Sequence, residues 1–353
     1  MISINLHASN INGKGKGMTL MFRTFLPLIV KKINKKKSFF FCSKSIKNEI
    51  KDYLKGTNYK FFNSVFPSFL YRVLECTYFP PRMNQNIPLL TFGDVPLRYS
   101  GKQVLFLANA HLVEDNFKIK NLKFIVMRFL FKINLSFVDK IIVQTNSMKK
   151  SLMKRYQIDT NKIVVINSPP PNLILDNRKK FIKNIRNVNS KLNLFYPATF
   201  YPHKNHKILT RLKSNSYDKI ENLFLTIPTI NNPNTYNRII KCLNNLKPEE
   251  VLKYYSEVDA LLFLSKKESY GFPLIEAMLL NLHIICPNLE YAREICGNAA
   301  IYFEVDSETS LSKAIEKLEK KIEFNISPDW SFQLSKISTN WNDTVKKFLN
   351  ELN

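Results

Sequence analysis

The sequence predicts an α/β protein made of two Rossmann-like halves with parallel sheets, and three observations carry that expectation. Short apolar runs recur along the 353 residues, helical patterns lie between them, and no hairpin signal joins one run to the next. The runs are continuously apolar instead of alternating, as in strands covered on both faces.

Taken in order, the runs are SFFFCS (38–43), QVLFLANA (103–110), KIIVQT (140–145), KIVVIN (162–167), LNLFYPA (192–198), NLFLTI (222–227), ALLFLS (260–265), HIICP (283–287) and AIYFEV (300–305). MISINLHA at the start and the segment before Asp94 in LTFGDVP (90–96) are further candidates. TNSMKKSLMKRY (145–156) illustrates the helices: Met148, Leu152 and Tyr156 repeat every four residues behind Asn146 as cap. At NSPPPNLILDNRKKFIKNIRNVNSK (167–191) three prolines stop a strand and a basic polar stretch follows, which marks a domain boundary. The expected organisation is an N-terminal domain over 1–170, a linker over 171–190, a second domain over 191–328, and a helix over 329–353 that packs back on the first domain.

With 45% apolar and 12% aromatic residues the chain can fill two cores. The 53 Lys and Arg against 28 Asp and Glu give +25, an attraction to nucleic acid, a lipid surface or phosphorylated substrates. A codon bias toward Lys, Asn and Ile would produce the same surplus, and the field acts physically either way. No zinc-finger, RNA-recognition or helix-turn-helix signature accompanies it, so nucleic acid is not an expected partner. Cys42, Cys76, Cys242, Cys286 and Cys296 are odd in number and widely spaced, which predicts reduced thiols and no zinc site. The start lacks the basic and apolar regions of a signal peptide, and no run approaches the ~20 apolar residues of a membrane span. A cytoplasmic protein is the expectation.

One of only eight glycines stands in KKESYGFPLIEAM (266–278). Pro273 suits a first helical turn, and free amides at that helix start form a site for phosphate oxygens. Gly271 lets the backbone approach an anion closely. Glu276 inside the helix can accept hydrogen bonds from a sugar diol, and Glu268 in the loop can do so for a second ring. Read on their own, two acids near a helix N-terminus are simply residues favoured by its dipole.

The wider string FLSKKESYGFPLIEAMLLNLHIICPNLEYAREICGNAAIYFE (263–304) resembles the nucleotide-binding half of the family four glycosyltransferases, whose hallmark E-x7-E is matched by Glu268 and Glu276. VDKIIVQTNSMKKSLMKRYQIDTNKIVVINSPPP (138–171) and FYPATFYPHKNHKIL (195–209) are similar to that family's last N-domain elements and to the loop that opens its second domain. The resemblance implies a GT-B fold, two Rossmann-like domains facing across a cleft. It also implies a retaining, metal-independent transfer of a sugar from a nucleotide-sugar donor to a glycan or lipid-linked acceptor, as in O-antigen, capsule or lipopolysaccharide assembly. No cofactor is expected, and the chain carries no D-x-D motif. A non-catalytic nucleotide-sugar or carbohydrate binding protein that kept the fold is the alternative.

By the same resemblance, Glu276 looks like the ribose-binding glutamate and Glu268 like the one that meets the donor sugar. The backbone of Ser269, Tyr270, Gly271 and Phe272 would cradle the diphosphate. Lys204 matches the lysine that neutralises the leaving group, although a lysine among 53 basic residues would otherwise read as a solvated loop cation. Thr199 stands where the family often has an arginine, so Lys204 acts with less help or His203, His206 or another cation substitutes. Gly13, Gly15 and Gly17 match the cleft loop, His111 the cleft histidine near the donor sugar, and Asp94 is a loop-capping or acceptor-orienting residue. MTLMFRTFLPLIVKKINKKK (18–37) and NLKFIVMRFLFKINLSF (121–137) mix bulky apolar and basic residues. Each either lies peripherally on the anionic inner face of the cytoplasmic membrane or packs into the N-terminal domain, core packing being favoured for the second.

Overall fold

The computed structural model describes residues 2–6, 16–43, 47–62, 73–74, 76–78, 84–113, 122–181 and 191–353. The chain forms two compact units, Met1–Pro169 with Ser338–Asn353, and Pro170–Ile337.

The first unit holds a seven-stranded sheet. Its strands are β1 (Ser3–Leu6), β2 (Phe39–Ser43), β3 (Asn58–Phe62), β4 (Leu89–Phe92), β5 (Gln103–Phe106), β6 (Lys140–Val143) and β7 (Ile163–Val165), in the order β3-β2-β1-β4-β5-β6-β7. Every pairing is parallel. β4 and β5 are buried at every position, which accounts for their largely apolar sequences. The two polar exceptions, Thr91 and Gln103, are satisfied: the Gln103 amide donates to the carbonyls of Leu97 and Phe137 at 2.9 Å each, and its oxygen accepts from the Leu97 amide at 2.9 Å and the Thr91 hydroxyl at 3.3 Å.

The helix Lys16–Lys32 buries Phe25, Leu26, Ile29 and Val30, so its apolar side is core. The helix Trp341–Asn350 joins the same core through Trp341, Val345 and Phe348, and the Phe348 ring lies 5.1 Å from Phe25 and 5.3 Å from Phe106. The helix Asn146–Tyr156 is capped by Thr145, whose hydroxyl accepts from the Met148 amide at 3.2 Å, and not by Asn146, which is already helical. The helix Leu122–Asn134 buries Met127, Leu130 and Phe131.

The second unit holds β8 (Leu192–Tyr196), β9 (Ile220–Leu225), β10 (Ile240–Cys242), β11 (Ala260–Leu262), β12 (His283–Pro287) and β13 (Ile301–Phe303), ordered β10-β9-β8-β11-β12-β13 and parallel throughout. After β8 the chain adds β9 and β10 on one side, then returns to place β11 on the other. The strand order therefore reverses between β8 and β11, the point where open α/β sheets bind ligands. Part of the segment read as a linker is structured: Asn172–Phe181 is a helix starting after the three prolines, with Ile174 buried and Leu173 and Leu175 against the second core. Trp330 also stays in that core, where its indole N–H donates to the Leu282 carbonyl at 3.0 Å. All five cysteines are free thiols. Among the described residues no helix is long and apolar enough to cross a membrane.

Candidate functional site

The neighbouring parallel strands β8 and β11 deliver two loops to the same sheet edge, residues 197–206 and 263–271. Backbone and side chains stitch these loops together. The Lys266 amide and the Ser265 hydroxyl both donate to the His203 carbonyl, at 2.8 and 3.4 Å. Two buried tyrosines hold them from below: Tyr196 donates to the Lys204 carbonyl at 2.9 Å, and Tyr291 donates to the Ser265 carbonyl. Burial pushes both phenols well above their usual range, and the Glu268 charge adds to this, so both remain donors.

This scaffold brings Lys204 and Glu268, 64 residues apart in sequence, into an ion pair between Nζ and Oε1. Their side chains are only 16% and 15% exposed, so water screens the pair weakly. Each charge holds the other in place, and removing either leaves its partner poorly solvated.

The second loop ends at Gly271, whose φ of 81° and ψ of 55° lie in the left-handed region. Pro273 follows in the first turn of the helix Phe272–Leu279. The Leu274 amide donates to the Gly271 carbonyl at 2.9 Å, while the amides of Gly271 and Phe272 have no acceptor among the described residues. These two N–H groups and the positive end of the helix have the chemistry to bind an anion. Tyr270 is buried and packs edge-on against Phe272 at 5.1 Å, and Ser269 is half-buried beside them. Gly271→Ala would force a Cβ into this conformation and within 3.2 Å of Leu274 Cδ1. It is expected to cost about 1–2 kcal/mol in denaturant unfolding.

Glu276 lies inside that helix, 9% exposed. Tyr255, from the helix Pro248–Glu257, donates to its Oε2 at 2.9 Å. Burial raises the Glu276 carboxyl to about 7, against a smaller lowering by the Tyr255 hydrogen bond. The carboxyl is thus poised near neutrality.

Thr199 is half-buried in the first loop. His203 and His206 do not replace the missing arginine charge. Burial first, and then the Lys204 charge, bring His203 down to about 3 and His206 to about 4, so both rings are neutral at pH 7. Lys267, 3% exposed and acting electrically on His203, is the second cation of this cluster. Lys266 is engaged elsewhere, with Asp306 at 2.6 Å. The KK directly before Glu268 was a visible signal for Lys267, whereas nothing in the sequence pointed to Tyr196, Tyr255 or Tyr291.

The remaining candidates belong to the first unit. His111 is half-buried in the short turn Ala110–Leu112 after β5, its ring stacked on Phe124 at 4.8 Å and its carbonyl accepting from Arg128 at 2.7 Å. Asp94 sits half-buried in the bend after β4. Gly17 is the second residue of the helix Lys16–Lys32, and Gly13 and Gly15 lie outside the described residues.

With this geometry in view, residues 233–325 match the family model "Glycosyl transferases group 1". The chain is 26% identical over 245 residues to the O-antigen chain mannosyltransferase RfbU of Salmonella typhimurium, a match covering 67% of this chain and 66% of that protein, slightly under two thirds of its length. A glycosyltransferase from Rickettsia africae superposes with a TM-score of 0.65 at 15% identity, covering 99% of this chain and 97% of that one. Anabaena Alr3699/HepE, solved in complex with UDP and glucose, gives 0.62 at 13% identity, with 99% of both chains covered. The chain therefore has the two-domain α/β fold of the GT-B glycosyltransferases, and the stretch similar to the group 1 model lies wholly within its second unit.

Proposed function

We propose that the chain transfers a sugar from a nucleotide-sugar donor to a hydroxyl of a glycan or lipid-linked acceptor in bacterial surface-polysaccharide assembly, with retention of anomeric configuration and without a metal. The observation that carries this reading is the weakly screened Lys204–Glu268 pair beside the bare helix entrance at Gly271. RfbU, an O-antigen chain mannosyltransferase, and HepE, solved with UDP and glucose, support the substrate class.

In this reading the donor diphosphate draws Lys204 away from Glu268 and meets the amides of Gly271 and Phe272. Glu268 is then released to accept from the donor sugar hydroxyls, and Glu276, oriented by Tyr255, accepts from the ribose. Charge that builds on the departing phosphate is met by Lys204, with Lys267 behind it, so cationic side chains and a helix terminus do the work a divalent ion does elsewhere. Binding energy from nucleotide and ribose fixes the reacting carbon for attack. Acceptor choice falls to the first unit, where Asp94 is the candidate to orient the acceptor and His111 the candidate to meet the donor sugar, and the protein works peripherally on the cytoplasmic leaflet. Nothing in the relatives favours a non-catalytic binding protein.

A thermal-shift screen of UDP-, GDP- and dTDP-sugars tests this. The true donor at 100 times its Kd is expected to add about 2.7 kcal/mol of stability. Failure of every nucleotide sugar to stabilise the protein would refute the reading.

A further inference from the structure

The helix Leu122–Asn134 has two apolar sides. Met127, Leu130 and Phe131 are buried in the first unit, which uses one side for the core. The other presents Leu122, Ile125, Phe129 and Ile133, which are 68%, 50%, 62% and 37% exposed. Their spacing of three, four and four residues places them in one line along the helix. A continuous row of four large apolar side chains in water is costly, and such patches mark interaction surfaces.

The charges beside the row select the occupant. The helix sequence LKFIVMRFLFKIN contains three basic residues and no acidic one. Lys132 is exposed beside Ile133. At the C-terminal end, Arg98 lies over the Phe137 ring at 5.8 Å and Lys162 donates to the Leu135 carbonyl at 3.1 Å, which adds two cations at that end of the helix. The next acid in the chain, Asp139, accepts from the Gln103 amide at 2.7 Å. A second copy seated on this row through a two-fold axis would bring the cations of this helix up against one another. An anionic lipid surface meets both requirements: acyl chains take the apolar row, and phosphates take the cations.

We infer that Leu122, Ile125, Phe129 and Ile133 form a docking face for an anionic bilayer, with the helix lying in the plane of the interface. This extends the membrane part of the function proposed above by naming the surface responsible. The apolar residues sink about 5–10 Å to the headgroup boundary, and Lys132 stays among the headgroups. The helix Lys16–Lys32, also basic and apolar, is excluded from this role at Phe25, Leu26, Ile29 and Val30 because those side chains are already buried.

The test is flotation of the full chain with phosphatidylcholine vesicles with and without phosphatidylglycerol, for wild type and Ile125→Ser/Phe129→Ser. Both positions are exposed, and circular dichroism and thermal unfolding check that the variant folds. Wild type is expected to float with the anionic vesicles and less so at high salt, and the variant to bind about tenfold more weakly or worse. Equal flotation of wild type and variant, or no flotation of wild type, overturns the inference. So does a lipid-independent dimer, seen by light scattering, that the variant abolishes. Nucleotide-sugar thermal shifts on the same samples separate the two claims, because a chain that floats through this face without being stabilised by any donor would refute the transferase reading alone.

Discussion

Lys204→Ala is expected to lower turnover by about 10²–10³-fold while the protein remains folded, the scale of losing one group that stabilises developing charge. The side chain is 16% exposed and paired to Glu268, so the site holds a cation in place before any donor arrives. Without it, the diphosphate departs against the two free amides at Gly271 and Phe272 and the more distant charge of Lys267. Glu268→Gln keeps the shape but removes the acceptor charge, and its loss is expected to approach that of Lys204→Ala. Because the two side chains contact each other, the double variant should lose much less than the product of the single losses. Steady-state release of nucleoside diphosphate, with circular dichroism as the folding control, reads all three. Additive losses would mean that the two residues act independently.

Glu276→Gln is expected to stabilise the protein at pH 8 while weakening donor binding. The folded carboxyl titrates at about 7, raised by burial from 4.5. Below pH 4.5 both folded and unfolded chains carry the proton, and this group makes no difference. Between 4.5 and about 7 the unfolded chain ionises while the folded one stays protonated, so stability falls as pH rises, by a total on the order of 3 kcal/mol. Above 7 the loss is constant. Glutamine avoids it, so the variant should unfold at higher denaturant at pH 8 and match wild type at pH 4. Donor affinity should move the other way. Wild type is expected to bind more tightly as pH rises through about 7 and an ionised acceptor forms for the ribose, whereas the variant stays weak and flat. Tyr255→Phe removes a hydrogen bond that lowers the Glu276 pKa, so its binding profile should move to higher pH. A wild-type profile flat from pH 6 to 8 would show that Glu276 does not meet the donor.

Much of this architecture was legible in the chain because most strands are covered on both faces and read as unbroken apolar runs. The two unread strands, β3 and β10, are outermost in their sheets. In β3, Asn58, Tyr59 and Lys60 are exposed, and in β10, Lys241 is exposed between Ile240 and Cys242, so neither shows the buried signature. The opposite edges, β7 and β13, keep apolar sequences and were readable. At the site, the loop with Gly271, Glu268 and Glu276 is local in sequence, and its chemistry could be argued from spacing. The contact of Lys204 with Glu268, the Tyr255 hydrogen bond and the neutrality of His203 and His206 arise from tertiary burial and carry no local signature. The same holds for the outer row of Leu122–Asn134, since a helix with apolar residues on two sides does not announce which side faces the core.

The most direct test of the account is a structure of the complex with the nucleotide sugar that gives the largest thermal shift. The account predicts that Lys204 leaves Glu268 for the diphosphate, that the amides of Gly271 and Phe272 donate to phosphate oxygens, and that Glu268 and Glu276 accept from sugar and ribose hydroxyls. A nucleotide bound elsewhere, with the Lys204–Glu268 pair intact, would contradict it.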